Sequence, residues 1–254
     1  MALFLDLLLG HMLGDFLLQP GKLVAAKRDG WRGLLLHAAV VGAATALVTL
    51  GTLPRDWIAV AGVACAHLLI EEVTILAYKN TPTRGLFTLL FDQSLHILSI
   101  SAIALVSGGL QPTATAMLFG FTVTTRVLAI IVGFVTVMLG GSILAFEAAN
   151  ALVPGGSKGS LLRLDPARLS GMVERGGAVA LGLAFTPLFG SAAFVPRAVL
   201  AMTRGHDERQ RQLAELVAGF VLCALVLFAI HAVTTFVEAG EVPVWSWPPL
   251  GAGW

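Results

Sequence analysis

Long apolar stretches, separated by short polar or basic loops, run through the whole chain. Seven of them approach the roughly 20 apolar residues that a helix needs to cross a membrane. They lie at residues 3–19, 34–53, 57–78, 86–107, 128–152, 172–203 and 213–237. This pattern predicts an all-α fold, a polytopic transmembrane helical bundle built from about seven hydrophobic blocks.

The sixth block is interrupted near its middle by Thr186-Pro187-Leu188-Phe189-Gly190. Proline inside a helix removes a hydrogen bond and kinks or breaks the helix. We therefore predict a broken sixth block. A re-entrant or tight two-helix hairpin would keep Arg197 and Arg204 on the side of the other basic loops, and one long kinked helix is the alternative.

The overall composition agrees with a membrane protein. Hydrophobic residues make up 57% of the chain and charged residues only 12%, with a mean hydropathy of +0.86, whereas soluble domains are about 25% charged. The net charge of +1 argues against a nucleic-acid partner. Cys65 and Cys223 both lie in apolar blocks, so the cysteines do not indicate a disulfide framework.

The basic residues predict an orientation in the bacterial cytoplasmic (inner) membrane. Cytoplasmic loops are enriched in lysine and arginine, and the loop between the first two blocks is basic. Its charged residues are Lys22, Lys27, Arg28 and Arg32 against Asp29. This multi-pass topology puts both termini outside, with the tail tryptophans at the interface. Those residues are Trp245, Trp247 and Trp254.

The domain organisation follows from the same loops. Residues 1–153 are predicted to form an N-terminal helical bundle, and 154–171 a cytoplasmic linker rich in glycine and serine. Residues 172–254 would hold the broken helix or hairpin, the last span and the tail. We expect one membrane domain overall.

Three apolar blocks each carry a histidine and a carboxylate one helical turn apart, which places the two side chains on one helix face. Ionisable residues inside a membrane span indicate a functional site. Counted along the helices at 1.5 Å per residue, these pairs and His37 lie roughly 5–16 Å from the cytoplasmic ends. The residues at this depth are His11, Asp15, His37, His67, Glu71, Asp92 and His96.

This residue set predicts a divalent-metal site, because imidazole and carboxylate ligands suit Zn, Fe or Mn. Asp15, Glu71 and Asp92 would also carry acid–base work. Two alternatives stay open: a hydrogen-bonded helix interface that binds nothing, and a proton relay. The side chains expected to orient ligands or bind an anionic substrate are Gln19, Lys79, Gln93 and Arg175.

Several of these residues stand in a recognisable pattern. The run His11-Met12-Leu13-Gly14-Asp15-Phe16-Leu17-Leu18-Gln19-Pro20, with Lys27, His37, the His67–Lys79 stretch and Asp92-Gln93 with His96, resembles an uncharacterised bacterial integral-membrane family, domain-of-unknown-function family 3307. The similarity continues at Gly171-Met172-Val173-Glu174-Arg175, at Arg197 and at Ala214-Glu215. This chain has Glu71 where the family usually has Asp, and it lacks the family's usual Lys near Pro196. The resemblance implies a shared membrane fold and polar site but no established reaction.

Charged residues in the second half are expected to form structural ion pairs near the membrane boundary. An acid inside a membrane normally faces the bundle interior and finds a partner. These residues are Glu147, Glu174, Arg197 and Glu215. A sharper hypothesis is a phosphate-binding rim of Arg175, Arg197 and Lys79, because the arginine side chain matches phosphate with two parallel hydrogen bonds.

Together these features favour metal-dependent chemistry on an amphipathic, lipid-like substrate such as a lipid phosphate or an isoprenoid. Two other classes remain as alternatives. One is an ion- or proton-coupled transporter whose broken sixth block lines the path. The other is a non-catalytic structural subunit that packs against other membrane subunits.

Overall fold

The computed structural model describes residues 1–77, 85–153 and 166–240, and this part of the chain is almost entirely helical. The all-α fold predicted from the sequence is therefore confirmed. Lys79, most of the 154–171 linker and the three tail tryptophans lie outside the described residues.

The described chain forms two compact units. The first is Met1–Val132, joined by a short segment that begins at Phe236, and the second is Gly133–Thr235. The boundary thus lies ahead of residue 153, where the sequence predicts the end of the N-terminal bundle. It falls within a helix.

The described residues of the first unit form five complete helices and a small hairpin of two strands. The helices are α1 (Ala2–Met12, extended by a π-helical turn at Leu13–Leu17), α2 (Gly21–Asp29), α3 (Trp31–Val48), α4 (Leu53–Ala77) and α5 (Leu86–Val106). Strands β1 (Thr115–Leu118) and β2 (Phe121–Thr124) follow. Helix α6 (Thr125–Val135) begins in this unit and contains the boundary with the second unit.

Within the described residues, five helical segments are long and apolar enough to cross a membrane, or six if the bent α1–α2 pair is one span. Many of their large apolar side chains point outward, such as Leu69, Val73 and Leu98. Such an outward apolar face suits contact with lipid. The protein is therefore a multi-pass membrane protein.

Helices α1 and α3 pack against each other unusually closely. A Cβ atom added at Gly14 would lie 2.6 Å from the Cα of Val41, and one added at Gly10 would collide with the backbone of Thr45. Glycines four residues apart let two helices approach closely in membrane proteins. The Gly10–Gly14 pair therefore fixes how near α1 can come to α3.

Part of the first unit has an apolar interior. Buried residues of α1, α4 and α5 pack together there: Leu3, Leu7, Ala59, Val60, Val63, Ile100 and Ala104. The histidines and the carboxylates one turn from them come later in α1 and α4 and earlier in α5. An apolar layer therefore adjoins the layer that contains these histidines and carboxylates.

The chain bends sharply at the polar end. Helices α1 and α2 meet at an angle of 92°, with Pro20 at the start of α2. Proline is favoured at a helix start because its missing N–H is not needed there. Leu23 and Lys27, one turn apart, form the buried face of α2, and its other residues are half-buried or exposed.

The β-hairpin was not predicted from the sequence. Its two strands pair antiparallel from Thr115–Thr124 to Leu118–Phe121. Phe119 and Gly120 have φ angles of +51° and +86°, and two consecutive positive φ values are typical of the tight hairpin turns that match strand twist.

The second unit contains the broken sixth block. A π-helical turn (Thr136–Gly140) leads into α7 (Gly141–Leu152). The next described elements are α8 (Pro166–Ala184), α9 (Pro187–Gly190), a 3₁₀ turn (Ser191–Phe194), α10 (Val195–Met202) and α11 (His206–Ala239).

The sixth block folds back on itself at Phe185 and Thr186. Gly190 of α9 packs against the backbone of Ala178 in α8, and Arg197 of α10 pairs with Glu174 of α8 at 3.1 Å. These contacts require α8 and α10 to run antiparallel. The two-helix hairpin is the correct alternative, and the single kinked helix is not formed.

We expect Gly14→Ala to destabilise the first unit by about 1–3 kcal/mol, because the added methyl group overpacks the contact with Val41. Thermal unfolding of the purified protein in detergent would measure this. Gly62→Ala is the matched control, because its Cβ would lie 3.5 Å from Ile103, an ordinary contact distance. Equal unfolding temperatures for the two variants would contradict the close-packing account.

Candidate metal centre

The seven residues that the sequence predicts to lie at one depth form one buried cluster in the first unit. Four helices supply them, and all are at most 6% exposed. Helix α1 with its π-helical turn contributes His11 and Asp15, α3 contributes His37, α4 contributes His67 and Glu71, and α5 contributes Asp92 and His96.

The four histidine rings lie in contact with one another. His67 is central, with ring centroids 5.2 Å from His11, 4.8 Å from His37 and 4.6 Å from His96. The rings of His11 and His96 are 4.7 Å apart. Four imidazoles gathered in an apolar bundle present their nitrogens to a very small volume.

The ligand atoms form three overlapping groups, and within each group they all lie within 4.8 Å of one another. The groups are His11, His67 and His96; Asp15, His37, His67 and Glu71; and Glu71, Asp92 and His96. His67, Glu71 and His96 each belong to two groups. Any of the groups could hold a metal ion, and the shared residues connect them into one centre.

The Nε2 atom of His37 is crowded by polar neighbours. It lies 2.9 Å from His67 Nε2, 3.2 Å from Asp15 Oδ1 and 4.0 Å from Glu71 Oε1. A neutral imidazole nitrogen carries either one hydrogen or one lone pair. It therefore cannot form a good hydrogen bond to His67 and Asp15 at once.

Other nitrogens in the cluster have no hydrogen-bond partner among the described residues. These are both ring nitrogens of His11, Nδ1 of His67 and Nε2 of His96. Asp92 Oδ1 lies 3.9 Å from His96 Nε2, beyond hydrogen-bond distance. Buried polar atoms are nearly always paired in folded proteins, because an unpaired one costs about 1–3 kcal/mol.

The π-helical turn at Leu13–Leu17 changes one detail of the sequence prediction. The N–H of Leu18 bonds to the carbonyl of Leu13, five residues back. This wider turn alters the angular spacing along the helix. His11 and Asp15 consequently fall in different ligand groups, and Asp15 meets His37 instead. The other two pairs each stay together in a group.

A lysine that the sequence indicated as a topology marker and as part of the family resemblance, but not as a site residue, also lies in the cluster. Lys27 is 5% exposed, and its Nζ donates to Glu71 Oε1 at 2.8 Å. When the Gln19 amide is oriented so that both its oxygen and its nitrogen have partners, the oxygen accepts hydrogen bonds from Lys27 Nζ at 2.6 Å and from His37 Nε2 at 3.1 Å. The signal available in the sequence was the spacing of four residues between Leu23 and Lys27, which places both side chains on the same face of α2.

Two further polar side chains orient the carboxylates. Thr74 Oγ1 donates to Asp92 Oδ1 at 3.0 Å, and sequence reasoning did not identify this residue. Gln93 Nε2 donates to Asp92 Oδ2 at 3.1 Å and lies 3.5 Å from Asp15 Oδ2. These contacts fix the carboxylates, as groups around metal ligands commonly do.

Arg175, expected to bind an anion, belongs to the second unit. It is 3% exposed, and its guanidinium donates to the Val137 carbonyl at 2.7 Å and to Ser142 Oγ at 2.6 Å. Val137 lies in the second π-helical turn, so the arginine binds a carbonyl in an irregular segment. These contacts hold α8 against the α7 segment.

The expected ion pairs are also located in the second unit. Arg197 pairs with both Glu174 and Glu215, and Arg211 Nε lies 3.7 Å from Glu215 Oε1. Glu147 is buried in α7. The pairs link α8, α10 and α11, the three helices of the hairpin and the last span.

The comparisons with known proteins agree with the sequence resemblance. A family model described as "Protein of unknown function (DUF3307)" matches residues 3–132, which covers all seven clustered residues. No curated protein and no solved structure matches the chain.

We expect Lys27→Met to destabilise the first unit by about 3–5 kcal/mol, because it leaves the buried Glu71 without its cation. The thermal unfolding temperature should fall clearly. Lys22→Met is the matched control, since Lys22 is exposed on the same helix. A Lys27→Met protein as stable as the wild type would show that the ion pair contributes nothing.

Proposed function

The chain belongs to the DUF3307 family of proteins of unknown function, and we propose that its first unit is an intramembrane metal centre that faces the cytoplasm of a bacterium. The metal would be Zn, Fe or Mn, since imidazole and carboxylate are their usual protein ligands. The exposed basic residues beside the polar end support the orientation, because cytoplasmic segments are rich in them. They are Lys22, Arg28 and Arg32.

The observation that carries this proposal is the set of imidazole nitrogens without hydrogen-bond partners among the described residues. Four such nitrogens lie on His11, His67 and His96, and each of these side chains is buried. A hydrogen-bonded helix interface would pair these atoms, because leaving them unpaired is costly. A cation would accept the lone pair of one nitrogen on each ring and would balance the charge of the carboxylates in the cluster.

The ligand groups support one metal position with all of its ligands from the protein and a second position with a free coordination site. The group of Asp15, His37, His67 and Glu71 offers four ligand atoms, the number that a tetrahedral ion takes. The groups that contain His96 offer three atoms each. Three protein ligands with a free position are typical of catalytic sites, where the fourth position takes water or substrate.

A metal in such a position lowers the pKa of bound water and polarises a phosphoryl oxygen. The residues of this chain would do the remaining work. Asp15, Glu71 and Asp92 would exchange protons with the reacting groups, and Thr74 and Gln93 would hold Asp92 in place. Gln19 and Lys27 would orient His37 and Glu71.

We propose an amphipathic anion, a lipid phosphate or an isoprenoid phosphate, as the substrate class. The centre lies within an apolar bundle, so an apolar tail could remain in the bilayer while the head group reaches the site. Helix α2 bends away from α1 at this end and presents Lys22 and Arg28 to solvent. These cations would attract a negative head group.

A proton-coupled transporter is the second candidate, and one observation favours it. The Nε2 atom of His37 lies 3.2 Å from Asp15 Oδ1 and 2.9 Å from His67 Nε2, so the three side chains form a continuous chain of polar contacts. Chains of acids and histidines of this kind conduct protons in pumps and transporters. This candidate needs no bound metal.

Metal analysis of the purified protein decides between the metal centre and the proton-coupled transporter. We expect about one equivalent or more of Zn, Fe or Mn per chain, and His67→Gln should lower the content by more than about half, because His67 belongs to two ligand groups. His206→Gln is the control, since His206 is exposed in the second unit. Less than about a tenth of an equivalent in the wild type would contradict the metal centre and leave the proton relay.

The substrate class can be tested by binding. Farnesyl phosphate should bind the metal-loaded protein at least about tenfold more tightly than farnesol, because only the phosphate can meet the metal and the basic residues. Chelation of the metal should remove most of this difference. Equal affinities of the two compounds for the metal-loaded protein would exclude a phosphate-recognising site.

A further inference from the structure

A second polar site lies at the opposite end of the first unit from the histidine cluster. It is a cavity of about 530 Å³ bounded by the starts of α1 and α4, the turn after α5 and the β-hairpin. Its polar side chains are Asp6, Thr52, Arg55, Asp56, Ser107, Thr113, Thr115 and Thr122. Nothing in the metal proposal uses this cavity.

The two sites are separated by apolar packing along each helix. Leu7 lies between Asp6 and His11 on α1, Val63 lies between Asp56 and His67 on α4, and Ile100 lies between His96 and Ser107 on α5. All three apolar residues are buried in one cluster. The cavity is therefore a separate site, and its ligand need not be the one that reaches the metal.

Asp6 is the unusual residue in this cavity. Its side chain is 2% exposed, and Oδ1 has no hydrogen-bond partner among the described residues. The positive groups nearby have hydrogen-bond partners other than Asp6, and the Met1 amino group interacts with Asp6 electrostatically. Arg55 donates to both oxygens of Asp56 at 3.1 and 3.3 Å, and the Met1 amino group donates to the Gln111 carbonyl.

A buried carboxylate oxygen without a hydrogen-bond partner favours the binding of a cation or a hydrogen-bond donor. The cavity is much larger than the coordination sphere of a single metal ion, and its volume lies in the usual range for small organic ligands. None of the described residues that line it is aromatic. Quaternary ammonium groups are normally recognised by aromatic rings, so that class of cation does not fit.

We propose that this cavity binds a primary ammonium group, with Asp6 as its counter-ion. Three N–H donors of such a group match the Asp6 carboxylate and the hydroxyl oxygens around it, such as those of Ser107 and Thr115. The ligand is either a free amine or the head group of an aminophospholipid, since the cavity lies at the ends of membrane-spanning helices.

Titration calorimetry on the full chain in detergent tests the proposal with three probes. These are ethanolamine, dihexanoyl-phosphatidylethanolamine, and dihexanoyl-phosphatidylglycerol, which has no amine. We expect at least one ammonium probe to bind the wild type about tenfold to hundredfold more tightly than Asp6→Asn, because a charge-assisted hydrogen bond is lost. Binding of ethanolamine identifies a free amine, and binding of the aminophospholipid alone identifies the lipid.

Two further variants make the test decisive. Asp29→Asn is the control, since Asp29 is exposed on α2, and it should bind as the wild type does. Thr122→Phe narrows the cavity from the exposed strand β2 without altering Asp6. It should therefore weaken the binding of the same probe, and this result does not depend on whether Asp6→Asn folds. The proposal is overturned if neither ammonium probe binds, or if Asp6→Asn and Thr122→Phe bind as the wild type does.

Discussion

Ionisable side chains buried inside an apolar helical bundle are the constraint on which the first unit depends. Removing a charge from water costs several kcal/mol unless the charge is paired, and the lipid side of the bundle offers no compensation. Each buried acid must therefore meet a cation or a donor inside the unit. Lys27 pairs with Glu71, and Thr74 donates to Asp92, but the imidazole nitrogens of His11 have no hydrogen-bond partner in the part of the chain that the structure describes.

The backbone is shaped to bring these groups together. Gly10 and Gly14 allow α1 to approach α3 closely, and the π-helical turn directs Asp15 toward His37. The bend before α2 then returns Lys27 to the cluster. Irregular turns such as this one are frequent at functional sites, because they aim a side chain where a regular helix cannot.

The second unit satisfies its buried charges in a different way. Arg175 donates to a carbonyl in a π-helical turn, and Arg197 joins two glutamates from different helices. Among the described residues of this unit the donors and acceptors are largely matched, with Glu174 Oε1 as an exception that has no hydrogen-bond partner. A network of this kind stabilises a hairpin, whereas the histidine cluster of the first unit has ligand atoms that could hold a metal ion.

The sequence by itself determined the helical class, most of the helices able to cross a membrane and the identity of the seven residues that cluster. Hydrophobic length and helical period are local properties, and they can be read without knowing which helices touch. The partners of Lys27 and Arg175, the separation of His11 from Asp15, the hairpin at Thr186 and the cavity around Asp6 were decided only by the tertiary structure. Each of these depends on how closely and at what angle segments distant in sequence pack, and local patterns do not encode that geometry.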